Sequence, residues 1–584
     1  MKGLLCAGLT YLGLPSLVTR TCDQDSISQG IDNTHDVVTR QAPSYSDPWR
    51  PQVHFTPPQN FMNDPNGLFR DEDGLWHLYY QYAPTINPGY LKEWGHATSE
   101  DLYSWTNHPI AIPGVASPLY SIFSGSIVVD VDNTSGFFPN QKNGIVAFYT
   151  AYTDAEEAQA IAYSTDGGYT FTQYANNPII SLNQHDFRDP KVIWHAESQK
   201  WVMVVSHAAE HFIAFYTSSN LVDWTQVSTF SNPALTGTWE CPQFLGVPFR
   251  PGSSPATTEQ SGPLPNHYIL AISLGGGGPG GGGIVKYVPG TFDGTNFSPF
   301  DSLASRVMDF GPDSYATAFF YDLKGAPEPI SMSWAVNLQY ATNVPTGTGE
   351  GWMSAMSVAR THYLANVSST GWDLITEPYN FSPLIESTVA SESKLGNGGL
   401  VIDYSTVASG TVQFSLNITA PSYSSPLANA TVLLDFTASD TGEVVSLSFN
   451  LLTSASESGS PPAASFSMSR SEITGWTTAP LSTSRSNLVP FNSFSTSTAQ
   501  TNYQIEGILD RTILEVYLNG GVDTGTMIFF PTGKLDTISL SVEGLGDGAW
   551  VDLEVLGLKS GWGSISGKRQ RLRDGEDVEG RVDL

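Results

Sequence analysis

Apolar and aromatic positions fall in short runs along this chain, separated by polar turn residues. Examples are 76–82 (WHLYYQY), 144–152 (GIVAFYTAY), 201–206 (WVMVVS) and 268–273 (YILAIS). Each is rich in β-branched or aromatic residues and bounded by Gly, Asp, Asn or Pro, which is the pattern of strands and not of helices. No long stretch carries an apolar period of 3.6 residues. A weak repeat runs through the first two thirds: 99–105 (SEDLYSW), 164–171 (STDGGYTF), 218–224 (SSNLVDW) and, more degenerate, 292–297 (FDGTNF). Each reads as strand, tight polar turn, aromatic, strand. Repeated antiparallel units of this kind predict a β-propeller, whose radial sheets leave only short edges. The competing reading is a hairpin-rich protein whose repeats are coincidental turn chemistry. After about residue 375 the composition shifts. Residues 381–399 read as a polar linker. Alternating strands then follow at 411–418, 431–436, 444–449 and 511–518, with Ser, Gly and Pro between them, as in a β-sandwich. The predicted fold class is therefore all-β, a propeller followed by a sandwich.

Length supports this division, because 584 residues exceed what one core organises. The predicted layout is a signal peptide at 1–20, a flexible leader at 21–49, the propeller at 50–380, the linker, the sandwich at 400–562 and a charged, disordered tail at 563–584. The signal reading rests on Lys2 followed by an apolar run that Gly and Pro interrupt, too short to span a bilayer. Formal net charge is −30, with 26 Lys+Arg against 56 Asp+Glu. Such a surface repels phosphate backbones and anionic lipid, so neither nucleic acid nor membrane is an expected partner. Of Cys6, Cys22 and Cys241 the first leaves with the signal, so no disulfide framework is expected. N-glycosylation sequons stand at Asn133, Asn296, Asn366, Asn380, Asn417 and Asn429, as in a secreted glycoprotein.

A propeller gathers its chemistry from several blades, so candidate residues lie far apart in sequence. Three carboxylates in turn-rich, aromatic surroundings stand out. Asp64 lies in Asn63-Asp64-Pro65-Asn66-Gly67, and its plain alternative is a tight turn. Asp189 follows Arg188, which would keep it ionised if their side chains meet; the alternative is a surface ion pair. Glu240, between Trp239 and Cys241, reads as a desolvated carboxyl suited to a general acid, or else as a half-buried edge residue. Together they supply what retaining glycoside hydrolysis needs: a carboxylate to attack, and a carboxyl about 5–5.5 Å away to protonate the leaving oxygen. The Gly-rich stretch 275–283 lacks the Lys-Ser/Thr of a phosphate loop and reads as a flexible surface loop. The acidic runs 71–73 and 130–132 lack EF-hand spacing, and the histidines lack ligand spacing. No cofactor and no catalytic metal are expected.

The blocks His54-Phe55-Thr56-Pro57 and Phe61-Met62-Asn63-Asp64-Pro65-Asn66-Gly67 resemble the opening signature of glycoside hydrolase family 32. Similar blocks follow in order at 80–82, 94–99, 123–126, 187–191, 239–242, 309–311, 315–316 and 334–340. The resemblance covers about residues 50–560 and is nearest to fungal or yeast invertases. It implies five blades, then a sandwich, and retaining cleavage of β-fructofuranosides. It implies Asp64 as nucleophile, Glu240 as acid/base, and Asp189 with Arg188 as holders of the fructose hydroxyls. Phe61, Asn63, Gln81, Phe123 and Ser124 would line the fructose pocket, with Trp334 as an apolar wall. The partners implied are small sugars: sucrose and short fructo-oligosaccharides. Ala83, Tyr90 and Leu338 depart from the family pattern at the pocket rim and bear on substrate preference. The competing functions are a fructosyltransferase, an exo-inulinase and, from another class, an inactive sugar-binding propeller. The intact Asn-Asp-Pro-Asn-Gly block favours hydrolysis over transfer, and the presence of all three carboxylates argues against an inactive propeller. A homodimer through the sandwich is left open.

Overall fold

The short apolar runs become strands because successive side chains alternate between two faces, and stacked sheets can bury both. A computed structural model describes residues 45–250, 267–302, 305–321, 328–367, 371–421, 430–452, 463–476, 489–491, 494–497 and 500–562. Among these residues the one α-helical turn is Thr346–Gly349. The predicted signal, most of the leader, Asn429 and the tail lie outside the described residues.

Five small antiparallel sheets follow one another from residue 60 to 378. Their first long strands are Asn60–Arg70, Leu119–Asp130, Phe187–His195, Thr238–Gly246 and Tyr315–Phe319. Each of these packs beside the next, and the fifth returns to the first, so the five strands surround a common centre. Trp352–Met353 closes the circle by pairing in parallel with Asn60–Arg70. The curled sheets fit a propeller. Large aromatics such as Trp94 and Trp239 fill the space between neighbouring sheets and are wholly buried.

The four sequence repeats all fall at one place, the turn between the third and fourth strands of a sheet. Glu93–Ser99 passes to Trp105–Ile112, Glu157–Ser164 to Thr172–Gln173, Phe212–Ser218 to Thr225–Phe230, and Ile284–Phe292 to Phe297–Pro299. In the first three the strand-ending serine accepts turn N–H groups, as Ser99 Oγ does from Leu102 at 2.8 Å. An Asp or Asn two residues on does the same, as in an Asx turn. The acidic runs are likewise local caps: Asp130 takes the N–H and hydroxyl of both Thr134 and Ser135.

Two larger sheets of seven and six strands form the second unit of the fold. Their inner faces share one core of Leu, Ile, Val and Phe, from Val412 through Phe436 and Phe466 to Leu553. The predicted linker is largely strand: Ile385–Leu395 pairs with Trp550–Leu558, and Gly398–Asp403 pairs with Leu535–Glu543. Its side chains are mostly exposed because both strands lie at sheet edges, which is why the segment reads as polar. The end of the predicted leader is also fixed. Tyr45 stacks on Trp562 at 3.9 Å, and the Trp49 indole donates to Pro531 O.

Where the propeller sheets meet the sandwich, charged groups are buried together. His54 Nδ1 lies 2.8 Å from Asp510 Oδ2, and Nε2 lies 3.3 Å from Glu515 Oε1. Asp510 also accepts the backbone N–H groups of Gln52, Val53 and His54 and the Thr411 hydroxyl. Arg360 pairs with Glu515 and Asp309 at 2.9 Å each. Burial pulls His54 down, but its two carboxylate partners outweigh this and push it to about 9. Burial raises both partners, yet His54 brings Asp510 to about 2, and Arg360 with His54 brings Glu515 to about 2. Such a cluster is stable only when every member is paired.

Candidate active site

All five central strands are irregular at the same height. Register shifts leave residues 63–64, 123–124, 189–190, 241–242 and 316–317 as two residues facing one on the neighbouring strand. These are β-bulges, which bend a strand and re-aim its side chains. Proline suits a bulge because it needs no ladder N–H, and Pro190 and Pro242 sit within two of them, with Pro65 bordering a third. Asp189, Cys241 and Ala316 adopt φ of 67°, 47° and 49°, a strained region for residues other than glycine. Carboxylates that a regular strand would turn aside are thus directed toward the centre.

Asp64 accepts a 2.5 Å hydrogen bond from Ser124 Oγ on the next sheet, and the Cys241 thiol lies 3.7 Å from the same Oδ2. The backbone N–H of Cys241 donates to Asp189 Oδ2 at 2.8 Å. Cys241 therefore touches Asp64 and Asp189 at once and adjoins Glu240 in sequence. Glu240 Oε1 accepts from Arg188 Nη2 at 3.0 Å, and Oε2 accepts from the Tyr315 hydroxyl at 2.6 Å. The geometry thus brings the three predicted carboxylates, from three different sheets, to one end of the central ring.

Burial and mutual repulsion govern the titration of Asp64 and Asp189. Burial raises Asp64, Ser124 opposes this, and the charge of Glu240 adds to the rise. Asp189 is raised by burial to about 7, with Arg188 pulling down and Glu240 and Asp64 pushing up. The Cys241 thiol is buried beside the carboxylates and pushed well up, so it stays a neutral donor.

The other predicted residues take varied positions. Gln81 faces the first bulge and donates from Nε2 to Ile122 O, tying the first sheet to the second. Asn63 Oδ1 is buried without a protein partner among the described residues. Phe61 meets Trp334 edge-to-face at 6.0 Å and carries Lys92 Nζ over its ring at 4.7 Å. Phe123 stacks on Tyr152 at 4.7 Å. Arg188 forms its ion pairs with Glu157, Asp186 and Glu240, and influences Asp189 through space. Trp239 does not desolvate Glu240. It points into the core between sheets, while the Glu240 side chain keeps 23% of its surface exposed. Asn296, Asn366 and Asn380 are exposed; Asn133 and Asn417 are half-buried.

Glu157 was not singled out in the sequence, and Tyr315 stood only within a family-like block, with no role. Tyr315 stands just before the fifth bulge, and that repeated geometry is the signal for it. Nothing local marks Glu157, whose role is to balance Arg188. The Gly-rich stretch, expected as a free surface loop, packs against this tyrosine: a Cβ at Gly283 would come within 2.4 Å of the Tyr315 ring.

A ring of curled sheets with acidic side chains converging at one end is an arrangement suited to a glycoside hydrolase. The family model for the N-terminal domain of glycosyl hydrolases family 32 matches residues 54–378, and that for the C-terminal domain matches residues 383–556. The chain belongs to glycosyl hydrolases family 32 and is of the β-fructofuranosidase type. It is 37% identical to invertase 2 of Saccharomyces cerevisiae, over 83% of this chain and 90% of that one. It is 33% identical to an extracellular exo-inulinase of Meyerozyma guilliermondii, over 87% and 95%. Among solved structures, the β-fructofuranosidase of Schwanniomyces occidentalis complexed with fructosyl-erythritol matches with a TM-score of 0.75 at 31% identity, covering 88% of this chain and 98% of that one.

Proposed function

We propose that this protein is a retaining β-fructofuranosidase that hydrolyses sucrose and short fructans, with Asp64 as nucleophile and Glu240 as acid/base. The observation that carries the reading is the convergence of Asp64, Asp189 and Glu240, tied by Cys241 and Arg188. In the first step an Asp64 oxygen bonds to the anomeric carbon while the glycosidic bond breaks, and Glu240 gives its proton to the departing oxygen. In the second step Glu240 takes a proton from water, whose oxygen bonds to the anomeric carbon and frees Asp64. Ser124 and Cys241 orient the nucleophile through hydrogen bonds to Oδ2. Asp189 holds sugar hydroxyls and, where ionised, stabilises the cationic transition state. Asn63 Oδ1 is an acceptor for a sugar hydroxyl. Phe61, Gln81, Phe123, Arg188 and Trp334 shape the rest of the fructose pocket.

The five sheets are the five blades, and residues 50–380 and 385–562 are the two domains, the strands within 385–403 belonging to the second. Secretion follows from the signal-like start and from relatives named extracellular. Exposed sequons at Asn296, Asn366 and Asn380 are the first candidates for glycosylation. Among the described residues no helix is long and apolar enough to cross a membrane. Purified enzyme should release glucose and fructose from sucrose, and Asp64→Ala should abolish this. Retained hydrolysis in that variant rejects the mechanism. At high sucrose, free fructose should exceed oligosaccharide products; the reverse identifies a transferase working through the same intermediate.

A further inference from the structure

Beside the proposed fructose pocket, three aromatic rings lie nearly parallel. Phe123 and Tyr152 have centroids 4.7 Å apart at 13°, and Tyr152 and Tyr90 have centroids 5.3 Å apart at 2°. The stack begins next to the nucleophile, because Phe123 precedes the serine bonded to Asp64. It ends in solvent, because Tyr90 is 63% exposed. Exposed tyrosines are common on protein surfaces, but this one is held. Ser121 Oγ donates to Tyr90 O at 2.5 Å, and Lys92 N donates back to the same oxygen of Ser121 at 3.2 Å. Ile122 N also donates to Lys92 O. Both flanks of the ladder thus belong to the second sheet or are pinned to it. Tyr152 ends the strand Gly144–Tyr152, and the exposed His185 lies beyond it at 5.6 Å.

We infer that Tyr90 and Tyr152 form a stacking platform for a sugar ring beyond the fructose pocket, so that the enzyme binds neutral saccharides longer than a disaccharide. This rests on the fructosidase reading above. One face of Tyr90 is used by Tyr152. The other presents a fixed π surface, which suits the C–H-rich face of a pyranose or furanose ring. The net charge of −30 favours neutral saccharides over anionic chains as the occupant. A rigid aromatic wall offers area with little ordering cost, so its contribution appears as binding of the longer substrate.

The experiment compares kcat/KM on nystose and on sucrose for wild type, Tyr90→Ala, Tyr152→Ala and Tyr90→Trp. The ratio of nystose to sucrose should fall about fivefold in each alanine variant and be kept or raised in Tyr90→Trp, the size being that of one aromatic contact. Titration of Tyr90→Trp with nystose should change its emission relative to wild type, and fructose should not. An unchanged ratio in both alanine variants, or an equal response to fructose, overturns the platform. If wild type cleaves neither sugar, the fructosidase reading fails instead, and the emission titration still decides whether a saccharide binds here.

Discussion

Two buried charge clusters in this protein have opposite designs. At the candidate active site Asp64, Asp189 and Glu240 converge, and Arg188 is shared with Glu157 and Asp186. Burial and mutual repulsion therefore raise Asp64 and Asp189. At the junction His54 and Arg360 alternate with Asp309, Asp510 and Glu515, and both Asp510 and Glu515 are held at about 2. Similar burial thus gives groups poised to exchange protons in one place and permanently charged groups in the other. What differs is whether every anion is in direct contact with a cation. Strain at the site is the cost of function, whereas the junction serves the union of the two units.

Five experiments sharpen or break this contrast. Asp64→Asn should lower kcat/KM on sucrose about ten-thousand-fold or more, while melting no earlier than wild type. A fall in melting temperature matching that of a junction variant would erase the contrast. His54→Leu leaves Asp510 and Glu515 undercompensated and should destabilise by about 3–5 kcal/mol in urea unfolding at pH 5.5, with activity per folded molecule nearly unchanged.

Asp189→Asn should stabilise the fold by on the order of 2–4 kcal/mol at pH 7 and by little at pH 4. In wild type this carboxyl keeps its proton up to about 7 when folded but only to about 4 when unfolded, so stability falls across that interval, and the amide removes the slope. The junction behaves otherwise. Asp510 and Glu515, at about 2, contribute fully above about pH 4 and lose this as pH falls. His54, at about 9, contributes fully below about 6.5 and loses it as pH rises through 9. Unfolding across pH should therefore show greatest stability in mildly acid solution. The smallest effect belongs to Tyr315→Phe, which removes one hydrogen bond to Glu240 and should reduce kcat/KM about fivefold to tenfold, read from initial rates.

Strand content and the succession of propeller-like sheets and sandwich were legible in the sequence, and so was the set of three carboxylates that the fold brings together. Strands reveal themselves by local periodicity, and the turn repeats by the Ser and Asx caps they need. Proline at or beside Asp64, Asp189 and Cys241 also marked three bulges, although only the sheet registers make that meaning visible. Partnership across long separations was not legible. His54 reads only as part of the family's opening signature, yet its side chain faces the sandwich. The segment 381–399 reads as a linker because edge strands expose their side chains on both faces. Trp239 and Glu240 are neighbours in sequence, but alternation sends them to opposite sides of a strand.

The contact between His54 and Asp510 spans 456 residues. At typical synthesis rates of about 5–20 residues per second, tens of seconds separate the emergence of the histidine from that of its partner. During that interval the propeller sheets can assemble, and the stretch leading into them can reach Glu350 and Trp352 but not its partners in the sandwich. The segment from Trp49 to His54 is thus among the first parts of the described fold to be made and among the last to be locked. A ribosome-bound chain stalled before residue 510 should leave this segment open to proteases, even where the sheets beyond it resist them.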